Sequence, residues 1–252
     1  QGYECNKFFK EHNNSTLIQT SRGCLNTCTF CQRRGWQNKY LQHGLKYVLN
    51  EFRFVFEKKY KNIWICDENF TFDLDRAKKV LCLLIDSKVT TGMKIAISSW
   101  TKIDFEFLKL AKDANVTVIS MGIESANKKS LEFYQKDIDL INVKKLIEYA
   151  DKLGIYMIGN FIIGAPNENE NDIVNTFDYI RNSKLDQVNI KILDYMIGAK
   201  LYDELPRNKF NEDHYFSCKE NGLSNIPLSK LKKMQNEFVT EFNFVNSNRL
   251  YS

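Results

Sequence analysis

The sequence contains few glycines and prolines, the residues that most often interrupt helices and strands. Its 252 residues include 11 glycines and 3 prolines, where average usage would give about 18 and about 13. This shortage argues against collagen-like, linker-dominated and disordered chains. No apolar run approaches the roughly 18 residues that a membrane span needs, and the polar opening is unlike a signal peptide. These absences predict a globular cytoplasmic protein with no membrane partner.

Acidic residues are scarce near the start of the chain. The formal net charge is +5, and residues 1–60 alone carry ten Lys and Arg against four Asp and Glu. A nucleic-acid binder more often shows a dense basic stripe with interleaved aromatic residues. The excess is therefore interpreted as local electrostatics around a site, and nucleic acid is not expected as a partner.

Cysteine is the most informative residue type. The seven cysteines are odd in number and follow no secretory signal, which argues against a disulfide framework. Three of them lie in one short segment, at Cys24, Cys28 and Cys31. A structural zinc site needs four ligands, usually two CxxC pairs or one pair with two histidines, and neither set is found here. Three thiolates on one loop instead suit a 4Fe–4S cluster whose fourth iron has no protein ligand, with an incomplete zinc site as the alternative.

Short apolar segments alternate with segments of helical spacing along most of the chain. The predicted strands are 16–21, 62–66, 94–98, 116–122, 156–164 and 187–194. The predicted helices are 40–59, 74–88 with Asp73 as N-cap, one from Asp104, then 127–135, 140–153, 168–182 and 228–242. This alternation predicts an α/β fold with a parallel sheet, in either an open doubly wound or a partial-barrel form.

Polar residues follow several of the predicted strands. In both forms of the sheet the chemistry collects at the carboxyl ends of the strands. The residues at these ends are Asp67, Glu68 and Asn69 after the second strand, Ser98 at the third, Glu124 after the fourth and Gly164 at the fifth. A functional role is favoured for Glu124 because it follows a largely apolar strand, whereas Asp67 could equally cap its turn.

The motifs resemble those of the radical S-adenosylmethionine (radical SAM) enzymes. The resemblance rests on the CxxxCxxC loop, Phe30 before the last cysteine, the acidic turn at 67–69, the Gly-Ile-Glu-Ser segment and the GxPxE-like turn at 164–168. It extends from about residue 17 to residue 195. It is most detailed for the catalytic barrel of cobalamin-dependent members.

The resemblance implies a partial (β/α)6 TIM-like barrel, which decides between the two forms of the sheet. Residues 16–200 would form the barrel after an N-terminal lead at 1–15. A short C-terminal extension at 201–252 would cover the barrel near the substrate.

The resemblance also implies roles for individual residues. Cys24, Cys28 and Cys31 would hold three irons of a 4Fe–4S cluster, and S-adenosylmethionine would chelate the fourth. For S-adenosylmethionine, the resemblance implies that Phe30 and Gly164 lie near the adenine and that Glu124 binds the ribose hydroxyls. Ser98 and Lys136 are the candidates for the methionine carboxylate. One of Asp67, Glu68 and Asn69 would bind the methionine ammonium. The family has a GGE-like turn at 67–69, so the departure from two glycines leaves that last assignment open. Lys136 could also be an ordinary solvated lysine.

The reaction implied is reductive cleavage of S-adenosylmethionine to a 5′-deoxyadenosyl radical, which abstracts hydrogen from a small-molecule or peptide substrate. The electron donor would be a ferredoxin or a flavodoxin. One alternative is the catalytic half of a cobalamin-dependent methyltransferase. Cobalamin would then bind only with an upstream domain, because about fifteen residues precede the first predicted strand. The alternative from another class is a non-catalytic iron–sulfur barrel with a structural or redox-sensing role.

Overall fold

The computed structural model describes residues 14–33, 39–205 and 224–246, with side chains described as far as residue 242. Cys5, Cys218, most of the predicted lead, and residues 206–223 and 247–252 of the predicted C-terminal extension therefore lie outside the described residues. The domain boundaries after residues 15 and 200 stay a prediction.

Eight strands are present in this part of the chain, and six of them form one parallel sheet. The strands are β1 (Ser15–Ile18), β2 (Ser21–Arg22), β3 (Leu41–Gln42), β4 (Asn62–Ile65), β5 (Lys94–Trp100), β6 (Val116–Glu124), β7 (Tyr156–Ile163) and β8 (Gln187–Ile192). The order in the large sheet is β1-β4-β5-β6-β7-β8, while β2 and β3 form a separate antiparallel ribbon. The predicted α/β fold with a parallel sheet is confirmed.

Helices connect the strands of the parallel sheet, and two further helices follow its last strand. They are α1 (Leu45–Glu57), α2 (Leu74–Ser87), α3 (Phe105–Asp113), α4 (Lys128–Phe133), α5 (Leu140–Lys152), α6 (Glu170–Arg181), α7 (Lys200–Asp203) and α8 (Leu228–Asn246). Asp73 caps α2, as predicted, by accepting a hydrogen bond from the backbone N–H of Arg76. Asp104, the predicted start of the next helix, caps α3 by accepting from the backbone N–H of Phe107.

Alternation of buried and exposed residues fixes the two faces of the first strands. Ile63 and Ile65 of β4 are buried, whereas Trp64 between them is 52% exposed. Successive side chains of a strand point to opposite faces, so one face supplies the core. In parallel register Leu17 and Ala96 lie beside Trp64 on the other face.

Three predicted elements have different bounds, and in two of them long-range pairing overrides local propensity. The first predicted strand, 16–21, is divided into β1 and β2, because residues 21–22 pair with residues 41–42. Because residues 41–42 belong to this pair, the helix predicted for 40–59 begins only at Leu45. The helix predicted from 168 begins at Glu170, where Asn169 and Asp172 form a capping box.

The described residues divide into two compact units. The first holds 14–23, 39–121 and 148–157, and the second holds 24–33, 122–147, 158–205 and 224–246. Among the described helices, none combines the length and apolar character needed to cross a bilayer.

Candidate functional site

The three clustered cysteines lie in the loop between β2 and β3, within the second unit. Cys28 is buried, and Cys24 and Cys31 are half-buried. The backbone N–H of Cys31 donates to the carbonyl of Cys28 at 3.2 Å, which turns the chain between these two thiols. Burial raises the pKa of the Cys28 thiol to about 11; Lys136 opposes this shift, and Glu124, Cys31 and Cys24 add to it. The three thiols are therefore close enough to interact electrostatically.

The donor set fits an iron–sulfur cluster better than a mononuclear metal. Among the residues that the structure describes, no three His, Cys, Asp or Glu side chains converge on one point as ligands of a single ion would. In a 4Fe–4S cluster each thiolate binds a different iron, so the three sulfurs surround the cluster and do not share one ion. Three thiols on one loop match that chemistry.

Thr29, between Cys28 and Cys31, anchors the loop, and sequence analysis did not single it out. Its backbone N–H donates to the carbonyl of Tyr134 at 3.2 Å, and its Oγ1 donates to the carbonyl of Phe133 at 2.9 Å. Its own carbonyl accepts from the N–H of Leu201 at 3.1 Å. Phe30 packs edge-on against Tyr134, with ring centroids 5.3 Å apart. The cysteine loop is thus fixed to the end of α4 and the start of α7.

A buried ion pair lies at the end of β6 in the same unit. Glu124 Oε1 is 3.0 Å from Lys136 Nζ, and the two side chains are 9% and 6% exposed. The backbone of Glu124 has a φ of 67°, an uncommon conformation for a residue with a side chain that often marks functional sites. A Cβ on Gly122 would lie 2.7 Å from Glu124 Oε1. Glycine at 122 therefore leaves the space that this carboxylate occupies.

The turn after β7 is held by a second buried carboxylate. Gly164 has a φ of 91°, which favours glycine. Glu168 Oε2 accepts from the N–H of Gly164 at 2.6 Å and of Ala165 at 3.3 Å, and Oε1 accepts from Ser130 Oγ at 3.2 Å. Burial raises the pKa of Glu168 to about 7, against the lowering effect of these hydrogen bonds. Sequence analysis placed Glu168 in the turn but missed this bracing role; the spacing of four residues from Gly164 was the available signal.

The acidic turn after β4 belongs to the first unit. Both oxygens of Asp67 are engaged: Oδ1 accepts from the N–H of Thr20 at 2.7 Å, and Oδ2 accepts from Thr20 Oγ1 at 2.6 Å and Ser21 Oγ at 2.7 Å. Glu68 is half-buried, and its Oε2 accepts from the N–H of Gly23 at 3.0 Å. These two carboxylates therefore hold the backbone that leads directly into the cysteine loop.

Asn69 and Ser98 lie together at the neighbouring strand end. Asn69 Oδ1 accepts from the N–H and Oγ1 of Thr71 at 3.2 and 3.1 Å and from the N–H of Trp100 at 3.3 Å. The carbonyl of Ser98 accepts from the N–H of Phe70 at 3.0 Å. The predicted residues of the first unit are thus brought together by the strand order β4-β5.

Arg76 is a functional-site neighbour that sequence analysis missed. The buried guanidinium donates through Nη2 to the carbonyls of Thr20 and His43 at 2.9 and 2.8 Å. It thereby joins the strand leading into the cysteine loop to the strand leading out of it. Nothing in the local sequence of α2 distinguishes this arginine from a solvated one.

Comparison with protein families gives a match over most of the chain. The model of the Radical SAM superfamily matches residues 18–180. A cytidylyl-2-hydroxyethylphosphonate methyltransferase from Streptomyces wedmorensis is 27% identical over 222 residues, covering 83% of this chain and 41% of that protein. An uncharacterized methyltransferase from Pyrococcus horikoshii is 26% identical over 195 residues, covering 74% of this chain and 41% of that protein. The chain thus spans 41% of the length of each of these two curated relatives.

Solved structures show the same fold. The radical S-adenosylmethionine methyltransferase TsrM from Kitasatospora setae, bound to tryptophan and an S-adenosylmethionine analogue, matches with a TM-score of 0.74 at 16% identity. The match covers 79% of this chain and 40% of that one. A second structure of TsrM, with cobalamin and a [4Fe–4S] cluster bound, matches with a TM-score of 0.73 at 16% identity, covering 77% of this chain and 38% of that one. At this identity the likeness concerns the fold, and it confirms the predicted TIM-like partial barrel.

Proposed function

We propose a function that starts from the family: the chain belongs to the radical SAM superfamily, and its fold supports a catalytic barrel of that kind. Enzymes of this superfamily use a 4Fe–4S cluster and S-adenosylmethionine and take electrons from a reductant. We infer that this chain binds both and cleaves S-adenosylmethionine. When bound, the cluster would supply the electron that converts S-adenosylmethionine to methionine and a 5′-deoxyadenosyl radical.

The observation that carries this proposal is that three candidate features lie in the same compact unit, the second one. The cysteine loop, the buried Glu124–Lys136 pair and the braced turn at Gly164 all belong to this compact unit. A barrel that kept its cluster only for structure or redox sensing would have no use for a buried ion pair. Burying two charges is expensive unless their geometry and further hydrogen bonds are excellent, so we assign this pair to ligand binding.

Cys24, Cys28 and Cys31 are the residues that would hold the cluster. Thr29 fixes the segment between Cys28 and Cys31, so this segment does not have to be ordered when iron binds. The raised pKa of the Cys28 thiol means that metal binding must displace its proton.

Glu124 and Lys136 offer one anionic and one cationic group side by side. An ionised carboxylate can accept hydrogen bonds from both ribose hydroxyls, and an ammonium can pair with the methionine carboxylate. The positive φ of Glu124 directs its side chain back over Gly122. We therefore keep the predicted roles of Glu124 and Lys136, with Ser98 as the second candidate for the carboxylate.

The adenine contacts proposed for this chain are Phe30 and the backbone around Gly164. The Phe30 ring is partly buried against the cluster of apolar residues that contains Tyr134 and Ala165. Glu168 holds the N–H groups of Gly164 and Ala165, so the turn presents a fixed backbone edge.

Glu68 is the best supported of the three candidates for the methionine ammonium. Asp67 accepts three hydrogen bonds within the protein, and the Asn69 side-chain oxygen accepts three as well. Glu68 carries a charge and is more exposed than either. We assign Asp67 and Asn69 to positioning the turn.

The substrate and the electron donor are proposed only as classes of molecule. We propose a small-molecule or peptide substrate, a ferredoxin or flavodoxin as electron donor, and a cytoplasmic location. The methyltransferase names of the two relatives favour methyl transfer as a second candidate. That reaction would need cobalamin, which we expect to bind only if a further domain supplies a surface for its corrin ring.

Anaerobic reconstitution tests the proposal. The reconstituted protein, given dithionite and S-adenosylmethionine, should produce 5′-deoxyadenosine, detected by liquid chromatography with mass spectrometry. Cys28→Ala should fail to load the cluster, whereas Glu124→Gln should load it normally and bind S-adenosylmethionine more weakly. A hydrogen bond to a charged group is worth about 1.5–3 kcal/mol, or roughly tenfold or more in affinity.

Three results would contradict the proposal at different points. If protein with a full complement of iron–sulfur cluster produced no 5′-deoxyadenosine, the proposed enzymatic function would be rejected. An iron content near four per chain in Cys28→Ala would reject the ligand assignment. Unchanged S-adenosylmethionine affinity in Glu124→Gln would leave Glu124 with a structural role alone.

A further inference from the structure

The segment at 39–43 has two different faces, and side chains of one of them are exposed within the part of the chain that the structure describes. Tyr40 packs against Phe72 with ring centroids 4.6 Å apart, and Gln42 Nε2 donates to Asp73 at 2.9 Å. The alternate residues Lys39 and Leu41 are exposed, Leu41 by 60%. Alternation along an extended chain explains this separation. A large apolar side chain is therefore directed outward from an otherwise well-anchored segment.

Three further residues extend this exposed face. Leu41 pairs with Arg22 across the antiparallel ribbon β2–β3, and paired residues share one face. His43 stacks on Tyr47 of α1 with ring centroids 4.6 Å apart. Arg22 is close enough to Tyr47 to lower the pKa of its hydroxyl, against the larger raising effect of Glu51. We call Arg22, Lys39, Leu41, His43 and Tyr47 the neck surface, because the ribbon closes the loop that carries the cysteines.

Both the location and the charge of the neck surface suit one kind of partner. Arg22 precedes Cys24 by two residues, a length of chain that spans at most about 7 Å. Residues 21–22 and 39–53 carry four exposed basic side chains, Arg22, Lys39, Lys46 and Arg53, against one acidic side chain, Glu51. Glu51 is itself hydrogen-bonded to Tyr47. Interfaces are enriched in Arg, Tyr and apolar anchors, and a positive surface attracts an acidic partner.

We propose that the neck surface is the docking site for an acidic one-electron carrier protein. This inference rests on the proposed function, since it names the surface through which that site is reduced. In the transfer the docked carrier is oxidised by one electron and the iron–sulfur centre of the loop is reduced by one, with no bond, proton or group exchanged. Leu41 and the Tyr47 ring supply the apolar contact, while Arg22 and Lys39 steer the carrier.

The first test measures binding and does not depend on enzyme activity. Oxidised flavodoxin is titrated into the full-length holoenzyme by isothermal titration calorimetry at low salt. We expect the charge-reversal variant Arg22→Glu/Lys39→Glu to weaken binding at least tenfold, because steering by opposite charges enhances association by about 10 to 10³. Leu41→Ser should weaken it as well, by an amount that salt does not change. The matched controls are Lys109→Glu/Lys145→Glu for charge and Ile141→Ser for an exposed apolar residue.

The second test separates this inference from the proposed function. With dithionite, which needs no docking surface, all variants should produce 5′-deoxyadenosine at the wild-type rate. With flavodoxin, flavodoxin reductase and NADPH, only the neck variants should be slow. The docking site would be overturned if wild type and neck variants had equal affinity for flavodoxin and equal flavodoxin-driven rates. The same result is expected if another part of the protein covers this surface, and it would overturn the docking site in that case too. Failure of the wild type with dithionite would instead reject the proposed function.

Discussion

Asp67 and Glu124 follow similar apolar strands, yet the structure uses their carboxylates in different ways. Asp67 accepts from one backbone N–H and two hydroxyls, all on residues 20–21. Glu124 pairs with a single cation, Lys136, and adopts an uncommon backbone conformation to do so. A carboxylate satisfied by neutral donors is suited to holding a turn. A carboxylate paired with a lysine ammonium places two opposite charges where a ligand carrying both charges could bind.

This difference can be tested first by removing the cation. Lys136→Met should lower the free energy of unfolding by about 3 to 5 kcal/mol, because a buried carboxylate is left without its partner. Urea unfolding measures the change. The double variant Lys136→Met/Glu124→Leu should recover most of the stability, since no unpaired charge remains.

The control is an exposed ion pair of the same residue types. Lys128 lies 3.8 Å from Glu132 with 90% of its side chain exposed, so Lys128→Met should hardly change the urea midpoint. A Lys136→Met variant that is as stable as wild type would show that Glu124 does not depend on this partner.

The hydrogen-bonded carboxylate should respond somewhat less strongly. Asp67→Ala leaves one N–H and two hydroxyls without their acceptor, and the expected loss is about 3 to 4 kcal/mol. Asp67→Asn keeps one acceptor oxygen and should lose less. Thermal and urea unfolding of the two variants give the comparison. Equal losses in both would mean that charge, and not the number of acceptors, is what the turn requires.

Glu168 should make stability depend on pH in a direction opposite to that of an ordinary surface acid. Its folded-state pKa is raised from 4.5 to about 7 by burial, so the folded protein holds a proton that the unfolded chain has released. Stability from this group is complete below pH 4.5 and is lost as the pH rises through about 7. The total change is on the order of 3 kcal/mol.

Glu168→Gln isolates that contribution, because glutamine has the same shape and does not titrate. As the pH rises from 5 to 8, the wild type should lose stability and the variant should not, so the free energy of unfolding of the variant should increase relative to that of the wild type. Urea unfolding at each pH measures this difference. A constant difference between the two proteins over this range would show that Glu168 has an ordinary pKa.

Much of the site was predictable because its signals are local. The sequence alone predicts the cysteine spacing, the cap at Asp73, the helix start at Asp104 and the apolar strands, because each depends on neighbours within a few residues. The fold class followed from the alternation of strand and helix. Glu124 stood out for a similar reason, as a carboxylate at the end of an apolar strand.

Other features depend on partners that are distant in the chain. Asp67 bonds to Thr20 across 47 residues, and Thr29 bonds to Phe133 across 104 residues. The ribbon that shortens α1 joins segments about twenty residues apart, and Arg76 acts through the same ribbon.

The sequence by itself therefore determined the chemistry present in this protein: three thiols on one loop, acids at strand ends and a parallel α/β framework. The tertiary structure decided which acid holds a turn, which acid pairs with a lysine and which face of the ribbon stays exposed. The physical reason is that a carboxylate's role depends on its nearest donors, and those donors are brought to it by the folding of distant segments.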